Sequence, residues 1–231
     1  VEGLKKDYES KGARIILLSE YGITNVSNPI HINRVLRQHN LIAIREERGL
    51  ELLDAGASKA FAVSDHQIAH VYVNDPSVKD KVKSILEGIP SVELVLDKEA
   101  QKQYGINHPR SGDFVVMGDE KSWFTYYFWM DDAKAPDYAR AVDIHKKPGY
   151  DPVEMFMSSK GRAAYKLLRK KLGFRYVMDV IPLDATLVKG SHGRLEKDST
   201  YHPILITNTA QPESIQATDV YDVIWQQLND E

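Results

Sequence analysis

The chain has no cysteine. That excludes disulfides, thiolate metal sites and cysteine nucleophiles, and it leaves the redox compartment open. No apolar run approaches the roughly 18 residues needed to cross a bilayer. No charge of one sign dominates: 30 Lys and Arg face 33 Asp and Glu, for a net charge of -3. Neither a nucleic-acid-binding surface nor a membrane-binding surface is expected from that balance. Two motifs are also missing, the glycine-rich phosphate cradle and the GxSxG nucleophile elbow. What remains is 231 residues with 42% hydrophobic content, enough for a sizeable core.

The apolar pattern predicts an α/β chain. "ARIILLS" (13–19) is short and continuous, as in a strand buried on both faces. It follows a polar helix, "EGLKKDYESKG", and is expected to need sheet neighbours on both sides, so further chain is expected upstream of Val1. A short helix is predicted from about His31 to His39. "LIAIREE", "KAFAVSD" and "IAHVYVND" read as strands, with Asp65-His66-Gln67 turning the second into the third. "PSVKDKVKSILEGI" is a helix with Pro at its first turn, and Val78, Val82, Ile85 and Leu86 form its apolar face. "SVELVL" and "GDFVVMGD" are strands, and "YVMDVIPLD" and "HPILITNT" are read as two more. "KEAQKQYG", "GRAAYKLLRKKLGF" and "ATDVYDVIWQQLND" are helices. The predicted organisation assigns 1–58 to part of a main α/β sheet layer and 59–121 to a small α+β subdomain. It assigns 122–160 to an aromatic-rich ordered excursion and 161–231 to a return to the main domain.

Four stretches carry chemistry. In "SEYG", Glu20 and Tyr21 follow the carboxyl end of a strand, where open α/β sheets bind ligands. The Glu20 carboxylate suits a cation or general-base work, and equally an ordinary salt bridge. "GSHG" presents His192 from a tight turn, fit for a metal or an oxyanion, or for a backbone carbonyl. "VDIHKKPGYDP" groups Asp143, His145, Lys146, Lys147 and Asp151 in a loop that could line a pocket or bind a second ion, or equally be a surface loop turning at Pro148-Gly149. "VSDHQIAH" offers Asp65, His66 and His70, but Asp and His at a hairpin tip are ordinary turn chemistry. Strand geometry keeps His70 from joining His66.

Together, "SEYG"–"VSNPIHINRVLR", "AFAVSDHQIAHVYV", "WFTYYFWMDDAKAPDYARAVDIHKKPGYDPVEMF" and "KGSHGR" resemble the C-terminal half of bacterial type I phosphodiesterase/nucleotide pyrophosphatase proteins, of the alkaline phosphatase superfamily. The resemblance implies an α/β/α sandwich with a mostly parallel sheet, of which this chain holds part. It implies two divalent metals, usually zinc, bound by Asp and His, and a Thr or Ser nucleophile attacking phosphorus of a small phosphate ester. His192 matches the family's last metal-binding His. Where typical members have Ser-Asp-His-Gly, this chain has Glu20 and Tyr21. Glu20 keeps a carboxylate as a metal ligand. Tyr21 loses the imidazole, and a phenol with a free pKa near ~10 is a poor zinc ligand at neutral pH. The second metal is therefore expected to be weakened, changed in identity or absent, with Tyr21 touching substrate or capping the cation. Asp143, His145 and Lys147 are expected in the substrate pocket or behind it. The "SDHQ" hairpin imitates the family motif but falls after its slot. No segment matches the family's nucleophile, which is expected in an N-terminal half of the same protein, so this stretch alone is expected to be inactive. Two alternatives stay open: a non-catalytic relative that keeps the fold and binds a ligand, and a hydrolase of phosphonate or sulfate esters.

Overall fold

The computed structural model describes residues 2–141 and 146–229. Its internal contacts divide the chain into two compact units, residues 1–23 with 196–231, and residues 24–195. The chain begins with helix α1 (Glu2–Glu9) and strand β1 (Ile16–Leu18). Strands β2 (Thr24–Asn25) and β3 (Asn28–Ile30), helix α2 (Ile32–Gln38) and a hairpin of β4 (Ala43–Glu47) and β5 (Leu50–Asp54) open the larger unit. Strands β6 (Ala60–Asp65) and β7 (Ile68–Val73), helix α3 (Lys79–Glu87), strand β8 (Val92–Asp97) and helix α4 (Ala100–Gln103) follow. Then come β9 (Phe114–Gly118) and β10 (Ser122–Phe124), helix α5 (Lys160–Lys171), β11 (Gly190–Ser191), β12 (Leu205–Thr207) and α6 (Val220–Asn229).

The centre of the larger unit is a four-stranded sheet in the order β6-β7-β9-β8, antiparallel throughout. Period-two alternation turns Ala60, Ala62, Ala69, Val71, Phe114 and Val116 to one face, where Ile32 and Leu36 of α2 and Val82 and Leu86 of α3 pack on them. The three alanines leave room for the helices to approach closely. The mixed α/β class holds. Of the sheet pairs among the described residues, only β3 with β10 is parallel. Tight turns join two of the antiparallel pairs, β4 with β5 and β6 with β7, whereas a parallel pair needs a crossover of a dozen or more residues. One such turn, at Arg48 and Gly49 with φ of 54° and 78°, makes the β4–β5 hairpin that the sequence reading did not anticipate.

Strand β6 lies at the edge of the sheet, and partners cover its outward backbone groups at Ala60, Ala62 and Ser64. The Leu41 carbonyl accepts from the Lys59 and Ala60 amides at 2.8 and 3.1 Å. The Asn33 side chain from α2 donates to the Ala62 carbonyl and accepts from the Ala62 amide, each at 2.8 Å. Ser64 donates to the Pro148 carbonyl and accepts from the Tyr150 amide, at 3.2 and 3.0 Å. Between them Gly149 has a φ of +117°, and a Cβ there would lie 1.9 Å from the Ser64 carbonyl oxygen. Only glycine lets this loop approach so closely.

A second core is aromatic. Every residue from Ser122 to Trp129 is buried, with Trp123, Tyr126, Tyr127, Phe128 and Trp129 gathered around Val26, Tyr138, Val153 and Ile181. Arg34 of α2 lies over the Tyr127 and Trp129 rings at 5.5 and 5.8 Å and donates to the Trp129 carbonyl. The segment "YVMDVIPLD" forms no strand. Its Asp179 is bound by Arg162 and Lys166, and Pro182 cannot donate to a ladder.

In the smaller unit β1 pairs antiparallel with β12. The expected burial of β1 on both faces is not met within this chain: the strand is half-buried, and Leu18 is 44% exposed. A two-stranded sheet hides little of an apolar face.

Among the described residues Asn33 is the sole partner of both outward Ala62 backbone groups, so Asn33→Ala should leave a donor and an acceptor buried and unmet. We expect a loss of about 2–4 kcal/mol in urea unfolding. A loss below about 0.5 kcal/mol would show that water reaches this edge.

Candidate functional site

Glu20 and Tyr21 sit in the bend that follows β1. The two ends of "SEYG" are fixed to the segment 201–204. Ser19 donates its amide to the Ile204 carbonyl, and the Ser19 hydroxyl accepts from the Ile204 amide, both at 3.0 Å. At the other end Gly22 packs on Tyr201, where a Cβ would lie 1.7 Å from the carbonyl oxygen. The pinned ends leave the middle outward: Glu20 is exposed and Tyr21 is 45% exposed. The strand therefore stops on a presented carboxylate and phenol.

His192 belongs to the larger unit. It follows β11, which pairs antiparallel with β2 through Gly190 and Ser191. The His192 carbonyl accepts from the Gln67 amide at 2.9 Å, and Gly193 lies against the same hairpin tip, with its Cβ position 3.5 Å from the Gln67 nitrogen. The imidazole is half-buried against His66, ring centroids 3.9 Å apart and planes tilted by 35°. His66 in turn packs on Tyr150 at 4.7 Å. Burial first, and His192 second, hold the His66 imidazolium form down, while Asp65 opposes them.

Residues 65–67 do make the expected turn, and His66 takes a left-handed φ of 55°. Local turn chemistry nevertheless missed the His66 side chain, whose contact with His192 spans most of the chain. Gln67 was overlooked too. It is fully buried, and its side chain accepts from the Thr24 hydroxyl and donates to the Ser122 carbonyl, joining β2 and β10 to the turn. His70 goes elsewhere, accepting from the Gly112 amide at 3.1 Å.

The loop after 145 is built inward. Lys147 is buried, and its ammonium donates to the Ala141 carbonyl and the Glu154 carboxylate. Asp151 is fully buried: Oδ1 accepts from the Val153 amide at 3.1 Å, and Oδ2 meets no partner among the described residues. Desolvation pushes its carboxyl up to about 6, against the Val153 hydrogen bond and the Lys147 charge. Asp143 and His145, the other two candidates in this loop, lie outside the described residues.

An imidazole and a carboxylate are nitrogen and oxygen donors of the kind a borderline divalent cation takes. Among the described residues no three His, Asp or Glu side chains converge to hold one. The donors fit in kind, and the described residues hold less than a complete ligand set.

The Asp151 environment yields a pH test. Its folded-state pKa lies above the ordinary carboxylate value, so the folded chain keeps the proton more tightly than the unfolded chain does. The associated stability is full below about pH 4 and is lost as pH rises through about 6. Asp151→Asn keeps the oxygen that caps Val153 and removes the titration. Between pH 4 and 7 the wild type should lose up to about 3 kcal/mol relative to this variant in urea unfolding. A difference that is flat with pH would contradict it.

Comparison with known proteins places this geometry. A family model described as type I phosphodiesterase/nucleotide pyrophosphatase matches residues 1–151. No curated protein sequence matches. Among solved structures, murine ectonucleotide pyrophosphatase/phosphodiesterase 5 is similar at 14% identity and a TM-score of 0.50, over 99% of this chain and 45% of that one. Phosphonoacetate hydrolase from Sinorhizobium meliloti is similar at 15% identity and a TM-score of 0.47, over 91% of this chain and 40% of that one. The chain thus spans less than half the length of these structures. With the model covering well over half of its residues, the chain belongs to the type I phosphodiesterase/nucleotide pyrophosphatase family and has the mixed α/β fold of alkaline-phosphatase-like enzymes.

Proposed function

We propose that this chain is the C-terminal portion of a metal-dependent phosphoric ester hydrolase whose nucleophile lies in an N-terminal half of the same protein. Family membership supports the reaction class. The observation that carries the assignment of a site is His192, half-buried on a turn clamped to the 65–67 hairpin. In this reading His192 offers a ring nitrogen to one divalent cation, with zinc the proposed metal. Glu20, presented by its pinned bend, offers a carboxylate to a second. When bound, such ions supply Lewis-acid stabilisation of charge on the phosphoryl oxygens. Tyr21 can donate its phenolic hydrogen to a substrate oxygen. Lys147 acts from behind, holding the 147–154 loop through Glu154, with Asp143 and His145 proposed nearer the pocket.

Tyr21 favours a second reading, a relative that keeps the fold and binds a ligand without turnover. Metal analysis of the protein with its N-terminal half decides between them. For the hydrolase we expect one tightly held metal, and His192→Ala should remove it and lower kcat/KM on bis(p-nitrophenyl) phosphate by about 100-fold or more. Tyr21→His should raise occupancy of a second metal. Neither metal nor turnover in the wild type would favour the binding reading. Robust turnover by the 231-residue chain alone would refute the split of the site between two halves.

A further inference from the structure

We propose that helix α5 is a docking surface for an anionic lipid membrane, with its apolar stripe in the bilayer interface and its cations on the headgroups.

The way α5 is turned carries this inference. A surface helix of a globular unit normally aims its apolar stripe at the core and its charges at water. Here the arrangement is reversed. Ala163, Lys166 and Arg169 are the half-buried positions, and the helix has no buried residue. One carboxylate holds it down: Lys166 meets Asp179 at 2.6 Å, and Arg162 pairs with the same side chain. Tyr165, Leu168 and Leu172, three and four residues apart, share another side and are each more than half exposed. The apolar surface continues past the helix end. Gly173 takes a φ of +77°, and the Phe174 amide closes the cap by donating to the Arg169 carbonyl at 3.0 Å. Phe174 is exposed as well, and the Arg169 guanidinium lies 5.9 Å from its ring and 6.0 Å from that of Tyr165. One cation therefore borders both rings.

Charge selects the occupant. Residues 160–175 hold seven Lys or Arg and no Asp or Glu, in a chain whose net charge is -3. The even overall balance conceals this local concentration. Asp179 engages two of the seven, and among the described residues Lys160, Arg169, Lys170, Lys171 and Arg175 form no ion pair. Helical spacing puts Lys160 and Lys171 on one flank of the stripe and Arg169 on the other. A second copy of the helix would set these cations against their own kind. Nucleic acid would match the charge and leave the leucines in water. An anionic bilayer surface meets both needs, because its headgroups attract Lys and Arg and its outer acyl region takes Leu, Tyr and Phe side chains. At 12 residues α5 is too short to span a bilayer, so it would lie in the interface plane.

The 231-residue chain and the protein with its N-terminal half are each sedimented with vesicles of phosphatidylcholine alone and of phosphatidylcholine mixed with phosphatidylglycerol. Both should bind the mixed vesicles, and neither should bind phosphatidylcholine alone. Leu168→Gln with Leu172→Gln keeps every charge and leaves good helix formers at both positions. It should lower partitioning by about tenfold or more. Lys160→Gln with Lys171→Gln keeps the stripe and should lower partitioning by about 30-fold. All four side chains are exposed, so both variants should fold as the wild type does, which urea unfolding checks. Absence of binding to the mixed vesicles overturns the proposal. Loss in the lysine variant with none in the leucine variant also overturns it, since headgroup attraction without burial would then suffice. Binding by the 231-residue chain that the N-terminal half abolishes overturns it too, and assigns the stripe to a contact between the two halves. Capture by polyglutamate without vesicle binding would assign the face to an acidic protein surface instead.

Discussion

The outer edge of β6 is the constraint on which the larger unit depends. An edge strand presents alternate amides and carbonyls that must find partners or invite another chain. Here three separate segments take one position each: the Leu41 carbonyl at Lys59 and Ala60, the Asn33 side chain at Ala62, and the 148–150 loop at Ser64. Each partner also does something else. Asn33 anchors α2 over the sheet, and Leu41 leads into the β4–β5 hairpin. The 148–150 loop carries Tyr150 towards the hairpin tip. Satisfying one strand edge thereby sets the position of a helix, a hairpin and one wall of the candidate site.

The site grows from the end of the same strand. Beyond Ser64 the chain has no further edge to satisfy and turns through His66 and Gln67. Gln67 is buried at the point where β2, β10 and the turn after β11 meet, and its amide hydrogen bonds to the His192 carbonyl set the register of that turn. His192 is consequently held by backbone, and its ring lies against that of His66.

Much of this was legible in the sequence where local chemistry and periodicity agree. The α2 and α3 helices, the β6–β7 hairpin and strands β8 and β9 all carry a clear period and a turn residue at each end. Reading failed where a pattern has two physical outcomes. "YVMDVIPLD" alternates like a strand, yet its Asp179 and Pro182 bind or break outside any ladder. "REERGLELL" holds a hairpin whose tip, Arg48-Gly49, lacks the usual Asn or Asp before glycine. The His66–His192 ring contact was not legible for a different reason: turn propensity describes backbone, and says nothing about which distant ring the side chain will meet.

The Glu20-Tyr21 pair poses the opposite case, a local motif whose backbone geometry is clear. Ser19 and Gly22 are bound to 201–204 so closely that neither can shift without breaking a hydrogen bond or a van der Waals contact. A bend held this firmly at both ends keeps the exposed Glu20 and Tyr21 side chains at its middle. Glutamate has one more rotatable bond than aspartate, so it can reach a cation from a slightly displaced backbone, at a greater loss of side-chain entropy. Tyrosine keeps the planarity and hydrogen-bonding tip of histidine but gives up the neutral nitrogen donor. In the proposed function the pair would therefore suit contact with one cation and one substrate oxygen better than the joint gripping of a second metal.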